Sequence, residues 1–284
     1  MTRGGRVHRP ESLEEATTLL RDLDDAMIYG GGTAIQILRK QGLLFTEDYI
    51  DIAGVPGLRD LTVTEDEVTI GALVSLRRVE IDPQVRRAVP LASQTYGHAA
   101  NPRVRNTASA GGNIAHGDYR LDPPTALAVL DASVHLTSTA GTREVSIREF
   151  FTDFQQTAIE HGELITAISV PRQPEKARGS FAKMRALSQN DWPSASAAIL
   201  AVPEDDFVEI RLGLGAVAPT TVYLAFDMTP DMDEQQAVDA ALDIANSAMD
   251  PIADVRGSAA YKAHLGRVAV EEAVRRSLKE LHRD

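Results

Sequence analysis

The sequence predicts an α+β protein built in two parts. Short strand-like and helical runs alternate as far as Pro171, and three strand-like runs followed by two long helical ones fill the rest. Between them, residues 172–179 are charged and rich in chain breakers, which puts the boundary near residue 176. The expected units are therefore 1–175 and 176–284, the first divided into lobes of about 1–55 and 56–175.

Each element has a local reason. Ser12-Leu13-Glu14-Glu15 reads as a capping box, and Leu13, Ala16, Leu20 and Leu23 share one helical stripe, so a helix is expected over 12–23. Residues 26–29 form a short apolar strand, Gly30-Gly31-Gly32 its exit turn, and 34–41 a second helix. A strand over 49–52 and a hairpin of 61–64 with 68–70 follow. Residues 76–95 are helical in character, and Asn101-Pro102 with Arg103 and Arg105 is expected to be an irregular approach to a second glycine-rich run. Pro123 and Pro124 open a helix to Leu130, where missing amide protons cost nothing. A second hairpin joins 134–137 to 144–146, and 164–170 is a strand ended by Pro171. Beyond the boundary the expectation is strands at 180–187, 194–202 and 208–217, making a three-stranded antiparallel sheet, then helices at 234–249 and 258–281.

Composition narrows the function. With 284 residues, 43% hydrophobic and 25% charged, the chain can bury a sizeable core. Its 29 basic and 41 acidic residues leave a net charge of −12 with no basic tail, which argues against nucleic acid and anionic membrane surfaces. No apolar run approaches the ~20 residues of a membrane span, and the N-terminus lacks a signal-peptide core, so a cytoplasmic location is expected. Cysteine is absent, so this chain can ligate no iron–sulfur cluster through thiolates and forms no disulfide. Any redox chemistry then falls to a bound organic cofactor. The seven histidines show no metal-ligand spacing, and neither a catalytic residue nor a metal ligand is assigned.

Two loops carry the positive signal. Gly30-Gly31-Gly32-Thr33 and Ser109-Ala110-Gly111-Gly112-Asn113 match neither G-x-G-x-x-G, because Ile35 stands at the last glycine position, nor the P-loop pattern. Either alone reads as a plain turn; the pair, with polar Thr33, Ser109 and Asn113, suits a ligand with two phosphates.

These loops, the run Thr107-Ala108-Ser109-Ala110-Gly111-Gly112-Asn113-Ile114-Ala115, the acids Asp118 and Asp122 before Pro123-Pro124, and Asp254-Val255-Arg256-Gly257-Ser258 with Tyr261 resemble the FAD-binding medium subunit of molybdenum hydroxylases. That family includes flavoprotein chains of carbon monoxide, xanthine and nicotine dehydrogenases. The resemblance covers nearly the whole chain and implies a bilobal FAD-binding domain of the p-cresol methylhydroxylase type followed by a C-terminal domain. It implies FAD lying extended, with Ile28, Tyr29, Gly30, Gly31, Gly32, Thr33, Ala34 and Ile35 and Thr107, Ser109, Ala110, Gly111, Gly112 and Asn113 at the pyrophosphate, backbone amides being the main donors. Asp122 would accept from a hydroxyl of the adenosine side, although it also reads as a cap for the helix at Pro123. Ile165 and Ala99 would be cofactor neighbours; Lys183 would sit near the flavin, where a cation raises the potential, or be a surface-strand lysine. Trp192, the lone tryptophan, would neighbour the flavin ring or pack at the domain seam.

The implied function is electron transfer within an oxidoreductase. FAD here would take electrons from [2Fe-2S] clusters on a small partner subunit, fed by a molybdopterin large subunit, and pass them to an external acceptor. A dimer of heterotrimers is the expected assembly. The alternatives are a self-sufficient flavin oxidoreductase acting on a small substrate, for which no acid–base constellation stands out, and a non-catalytic nucleotide-binding module.

Overall fold

The computed structural model describes residues 5–188 and 190–283. The chain begins with β1 (Arg6–His8), α1 (Leu13–Asp22), β2 (Met27–Tyr29), α2 (Thr33–Lys40) and β3 (Asp48–Asp51). The three strands form a parallel sheet in the order β1-β3-β2, with Val7 opposite Tyr49 and Ile28 opposite Ile50. Parallel neighbours need crossovers, which α1 and α2 supply. At the start of α1, Ser12 Oγ accepts from the Glu15 amide at 3.1 Å, while the Glu15 carboxylate reaches back to the Glu11 amide at 2.9 Å. Strand β1 was not expected from its pattern. Arg6 and His8 hold it instead through Asp48, at 2.6 and 2.7 Å.

The middle of the chain holds β4 (Leu61–Val63), β5 (Glu67–Gly71), α3 (Leu76–Ile81), α4 (Pro83–Ala88), α5 (Pro90–His98), α6 (Pro102–Thr107), α7 (Ala110–Ala115) and α8 (Pro123–Val129). Then come β6 (Ser133–Ser138), β7 (Gly141–Ser146), α9 (Ile147–Phe150), a small hairpin of β8 (Phe151–Asp153) and β9 (Gln156–Thr157), and β10 (Leu164–Pro171). The larger sheet is β4-β5-β10-β6-β7 and is antiparallel throughout. The single helical stretch expected over 76–95 is three helices, broken before Pro83 and Pro90, because a residue preceding proline is driven out of the α region. The expected irregular approach at Asn101-Pro102 is also helical. Proline at the first position and Asn101 Oδ1, which accepts from the Val104 amide at 3.1 Å, start α6 there.

The remainder is β11 (Arg178–Arg185), β12 (Pro193–Pro203), β13 (Val208–Gly215), β14 (Val222–Met228), α10 (Glu234–Ala248) and α11 (Ala259–Leu281). The C-terminal sheet therefore has four antiparallel strands, not the three expected from sequence. The added strand, β14, lies at the edge with Leu224 opposite Leu212. Its residues are only half-buried, so its sequence lacks the continuous apolar run that marked its neighbours. β12 is the opposite case: residues 193–202 are buried throughout, because both faces of the sheet are covered. Ala195, Ala197 and Ile199 pack beneath α10 and α11 with Val270 and Val274. Phe181, Ala198 and Leu200 join the same core as Leu91, Ala126 and the β5–β10 sheet. Among the described residues no helix is long and apolar enough to cross a membrane.

Close approach of α8 to this sheet depends on missing side chains. A Cβ on Gly213 would strike the Thr125 carbonyl oxygen, and one on Gly215 would stand 2.6 Å from Ser196 Oγ. Gly213→Ala is expected to destabilise the fold by about 1–3 kcal/mol through overpacking. Chemical denaturation of the two proteins, with equal m-values, measures it.

Candidate functional site

The two glycine loops meet. The first leaves β2, passes through Gly32 in the left-handed region at φ 68°, and enters α2 at Thr33. Ile28 and Tyr29 end the strand; Thr33, Ala34 and Ile35 form the first helical turn. A Cβ on Gly30 would lie 3.1 Å from Ser109 Oγ, and one on Gly31 would strike the Thr107 carbonyl. Among the described residues no hydrogen bond occupies the amides of Gly31, Gly32, Thr33 or Ala34. They are free donors at the start of an eight-residue helix, where the dipole also favours an anion.

The second loop differs from expectation, because residues 110–113 are the first turn of α7. The Ala110 amide donates to Val74 O at 2.8 Å, Gly111 to Ala72 O at 2.9 Å, Gly112 to Ser109 Oγ at 3.3 Å and Asn113 to Ser109 O at 2.8 Å. Those four donors are already engaged. The glycine at 111 serves packing, since a Cβ there would sit 2.7 Å from the Ala72 Cβ. This loop has side chains to offer instead, and the buried Asn113 Oδ1 has no partner. Ile165 is buried in β10, opposite Leu136 at a bulge, in the core that also holds Ala108 and Ala110.

Asp122 and Lys183 form a buried ion pair with Nζ 2.7 Å from Oδ2. Asp122 does not cap α8, and its Oδ1 has no partner. Lys183 is not a surface residue; it also donates to the His98 carbonyl at 3.0 Å. Burial raises the Asp122 carboxyl to about 6 against the pull of Lys183, and burial lowers Lys183 against the pull of Asp122. His98 accepts from Arg185 at Nδ1 over 3.1 Å and stacks edge-on against Phe181. Burial, then Arg185 and Lys183, push its imidazole down to about 4. Ala99 follows directly, 5% exposed.

Trp192 lies beyond this pair. The Arg120 guanidinium covers it at 5.1 Å and covers Tyr119 at 5.2 Å, while Asp118 holds Arg120 at 2.6 Å. Tyr119 Oη donates to Asp254 at 3.1 Å, Lys262 pairs with Asp254 at 2.9 Å, and Arg256 pairs with Asp191 at 3.1 Å. Tyr119 with Asp254 and Arg120 with Trp192 fasten the segment after α7 to the C-terminal part, and the other two pairs brace that part internally. Sequence reasoning missed Tyr119, Arg120, Arg185 and Lys262 as seam residues. Lys262 is fully buried inside a helix whose pattern suggested only an amphipathic face.

Buried polar atoms without partners are rare in native proteins. Among the described residues Tyr96 Oη, in the apolar core, is unpaired, and so are Asn113 Oδ1, Asp122 Oδ1, Arg185 Nε, Asp191 Oδ2, Ser194 Oγ, Ser196 Oγ and Arg256 Nε. The latter belong to the segments around the seam, beyond the free amides of α2. Such a distribution fits a long polar ligand with an anionic middle, as FAD is. The arrangement defines a class: an α+β protein in which a glycine-loop lobe and a C-terminal sheet flank a seam rich in polar groups.

Comparison with known proteins makes the class particular. Residues 3–173 match the family described as FAD binding domain in molybdopterin dehydrogenase, and residues 180–277 match the CO dehydrogenase flavoprotein C-terminal domain. The carbon monoxide dehydrogenase medium chain of Hydrogenophaga pseudoflava is 30% identical over 94% of each chain. The nicotine 6-hydroxylase medium subunit of Paenarthrobacter nicotinovorans is 27% identical over 97% of this chain and 96% of its own. A solved carbon monoxide dehydrogenase of Hydrogenophaga pseudoflava superimposes with a TM-score of 0.91 at 29% identity, covering 98% of this chain and 99% of that one. The chain belongs to the FAD-binding medium subunits of the molybdenum hydroxylases, a family of oxidoreductase flavoproteins.

Two outcomes follow from the seam. Lys183→Met, which strands Asp122, should cost about 3–5 kcal/mol, and adding Asp122→Asn should recover most of it; denaturant unfolding of the single and double variants measures both. His98 has a depressed folded value, so its contribution is complete above its ordinary value near 6.5 and is lost as pH falls towards 4. His98→Gln should therefore flatten the fall in Tm between pH 6.5 and 4, read from melts of both proteins across that range.

Proposed function

We propose that this chain is the FAD-carrying electron-transfer subunit of a heteromeric molybdenum hydroxylase. The observation that carries the reading is the combination of free amides in the first glycine loop, which meets the second loop at Ser109, with the unpaired polar atoms of the seam. Membership of the family supports the cofactor, and the names of the relatives support the assembly.

In this reading the free amides from Gly31 to Ala34 and the Thr33 hydroxyl hold the pyrophosphate, with Ser109 and Asn113 closing the other side. Tyr29 and Gly32 shape that turn: a Cβ on Gly32 would strike the Tyr29 ring. Because Asp122 is paired with Lys183 at 2.7 Å, the two cannot serve opposite ends of an extended FAD as expected from sequence; in this reading Asp122 Oδ1 accepts from a cofactor hydroxyl beside that lysine while Oδ2 stays on Lys183. Lys183 places positive charge at the flavin end, Ala99 and Ile165 supply apolar walls, and Trp192 offers a flat face held by Arg120. The bound flavin supplies a store for two electrons that are exchanged singly with iron–sulfur clusters. This chain's residues keep water from that store and set its potential through fixed charges.

With no cysteine, the chain leaves the [2Fe-2S] clusters to a small partner subunit and the molybdopterin to a large one. A dimer of heterotrimers, an external acceptor and a cytoplasmic location complete the proposal. The two-domain division at residue 175 and a bilobal p-cresol methylhydroxylase-type FAD-binding domain are part of the same reading.

Protein purified from its native host should carry FAD and bring iron and molybdenum with it. A colourless chain that takes up no added FAD would overturn the cofactor assignment, and flavin without either metal would overturn the assembly. Thr33→Val removes a hydroxyl for which no hydrogen bond is found among the described residues, so stability should hold while FAD binds about tenfold more weakly. Flavin titration alongside a thermal melt tests this.

A further inference from the structure

Three consecutive carbonyls at the end of α5 are each held by a buried cation. Lys183 takes His98 O at 3.0 Å, and Arg105 Nη1 takes both Ala99 O at 3.0 Å and Ala100 O at 2.9 Å. Arg105 is 6% exposed, whereas Arg103, two residues earlier and on the opposite side of the same helix, is exposed. Its guanidinium is therefore turned inward from a segment that the sequence presents only as an irregular approach to the second glycine-rich run. Its other edge lies on Glu80, with Nε 2.8 Å from Oε2 and Nη2 3.4 Å from Oε1, and Arg77 braces the same carboxylate at 2.6 Å.

Ala100 sits in the left-handed region at φ 47°. A residue with a Cβ persists there only where its surroundings over-determine it, and the double grip of Arg105 does so. Among the described residues no peptide bond is cis, so each amide opposes the carbonyl before it. The amides of Ala100 and Asn101 thus point away from Arg105, and among the described residues neither has a hydrogen-bond partner. The Ala99 amide is already used by Tyr96 O at 3.2 Å. Helix α6 connects this turn to Ser109; six residues span about 9 Å, comparable to the ribityl chain between the ring and phosphate of FAD.

Resting on the function proposed above, we propose that Arg105 is a positioning residue for the flavin. It anchors the Ala99–Ala100 turn from behind, so that the unpaired amides of Ala100 and Asn101 are presented to the polar edge of the ring beside Lys183. Amide donors favour the reduced, negatively charged ring over the oxidised one.

The test uses the full chain loaded with FAD and reads flavin content, visible spectrum, midpoint potential and Tm for the wild type, Arg105→Gln, Arg105→Lys and Glu80→Gln. Arg105→Gln should reduce the preference for reduced over oxidised flavin about tenfold, which is about 30 mV more negative for a two-electron couple. Arg105→Lys should move the potential less and in the same direction. Glu80→Gln leaves the carbonyl grip in place, so it should lower Tm while keeping the potential. Unchanged potential and spectrum in both Arg105 variants with normal flavin content would overturn the inference. So would a shift in Glu80→Gln as large as that in Arg105→Gln. Should Arg105→Gln fail to fold, the comparison of Arg105→Lys with Glu80→Gln decides. A wild-type chain that takes up no FAD sinks the proposed function itself, a result distinct from flavin bound with unshifted potentials.

Discussion

The Asp122–Lys183 pair is the contact around which the rest is arranged. It joins the residue just before α8 to β11 of the C-terminal sheet, where Lys183 lies opposite Ser196. Two opposite charges taken out of water add little net stability, because desolvation offsets most of their attraction. They do fix geometry, since neither group tolerates losing the other. The pair also leaves one carboxylate oxygen, Asp122 Oδ1, without a partner among the described residues, which an apolar joint would not have done.

Around this joint, charge is used to hold backbone in place. Lys262 reaches the Ile252 carbonyl at 2.8 Å as well as Asp254, and Arg120 is clasped by Asp118 between two aromatic rings. On the far side Arg143 ties β7 to Glu163 ahead of β10 through a bidentate contact of 2.6 and 2.8 Å. A protein with a net charge of −12 thus buries several of its cations where the chain turns, and exposes the acidic excess elsewhere.

Much of the fold was legible because it rests on local patterns. The capping box at Ser12, the hairpins and the two long C-terminal helices lie within a few residues of where periodicity put them. What sequence concealed was set by partners far along the chain. β1 depends on Asp48, some forty positions away, and β14 is a half-exposed edge that borrows its order from β13. In the site, the first glycine loop was readable as a turn into a helix with free amides. The second was not, because nothing local reveals that Ala72 and Val74 take its donors. The burial of Arg105 and Lys262 was equally hidden, since a lysine or arginine in a helical pattern carries no mark of where its far end goes.

The apolar core runs without interruption from the β5–β10 sheet through α5 and α8 to Phe181, Ala198 and Leu200. Sliding the C-terminal sheet relative to the β5–β10 sheet would have to tear that packing, at roughly 25 cal/mol for every Å² of apolar surface laid bare. These two sheets are consequently held as one body, whereas the lobe of β1–β3 has a smaller core of its own around Ile50 and Ile52. In the proposed function, a flavin seated between the two sheets would keep a fixed depth below the outer surface, and the tunnelling distance to a docked partner would be decided by where that partner lands.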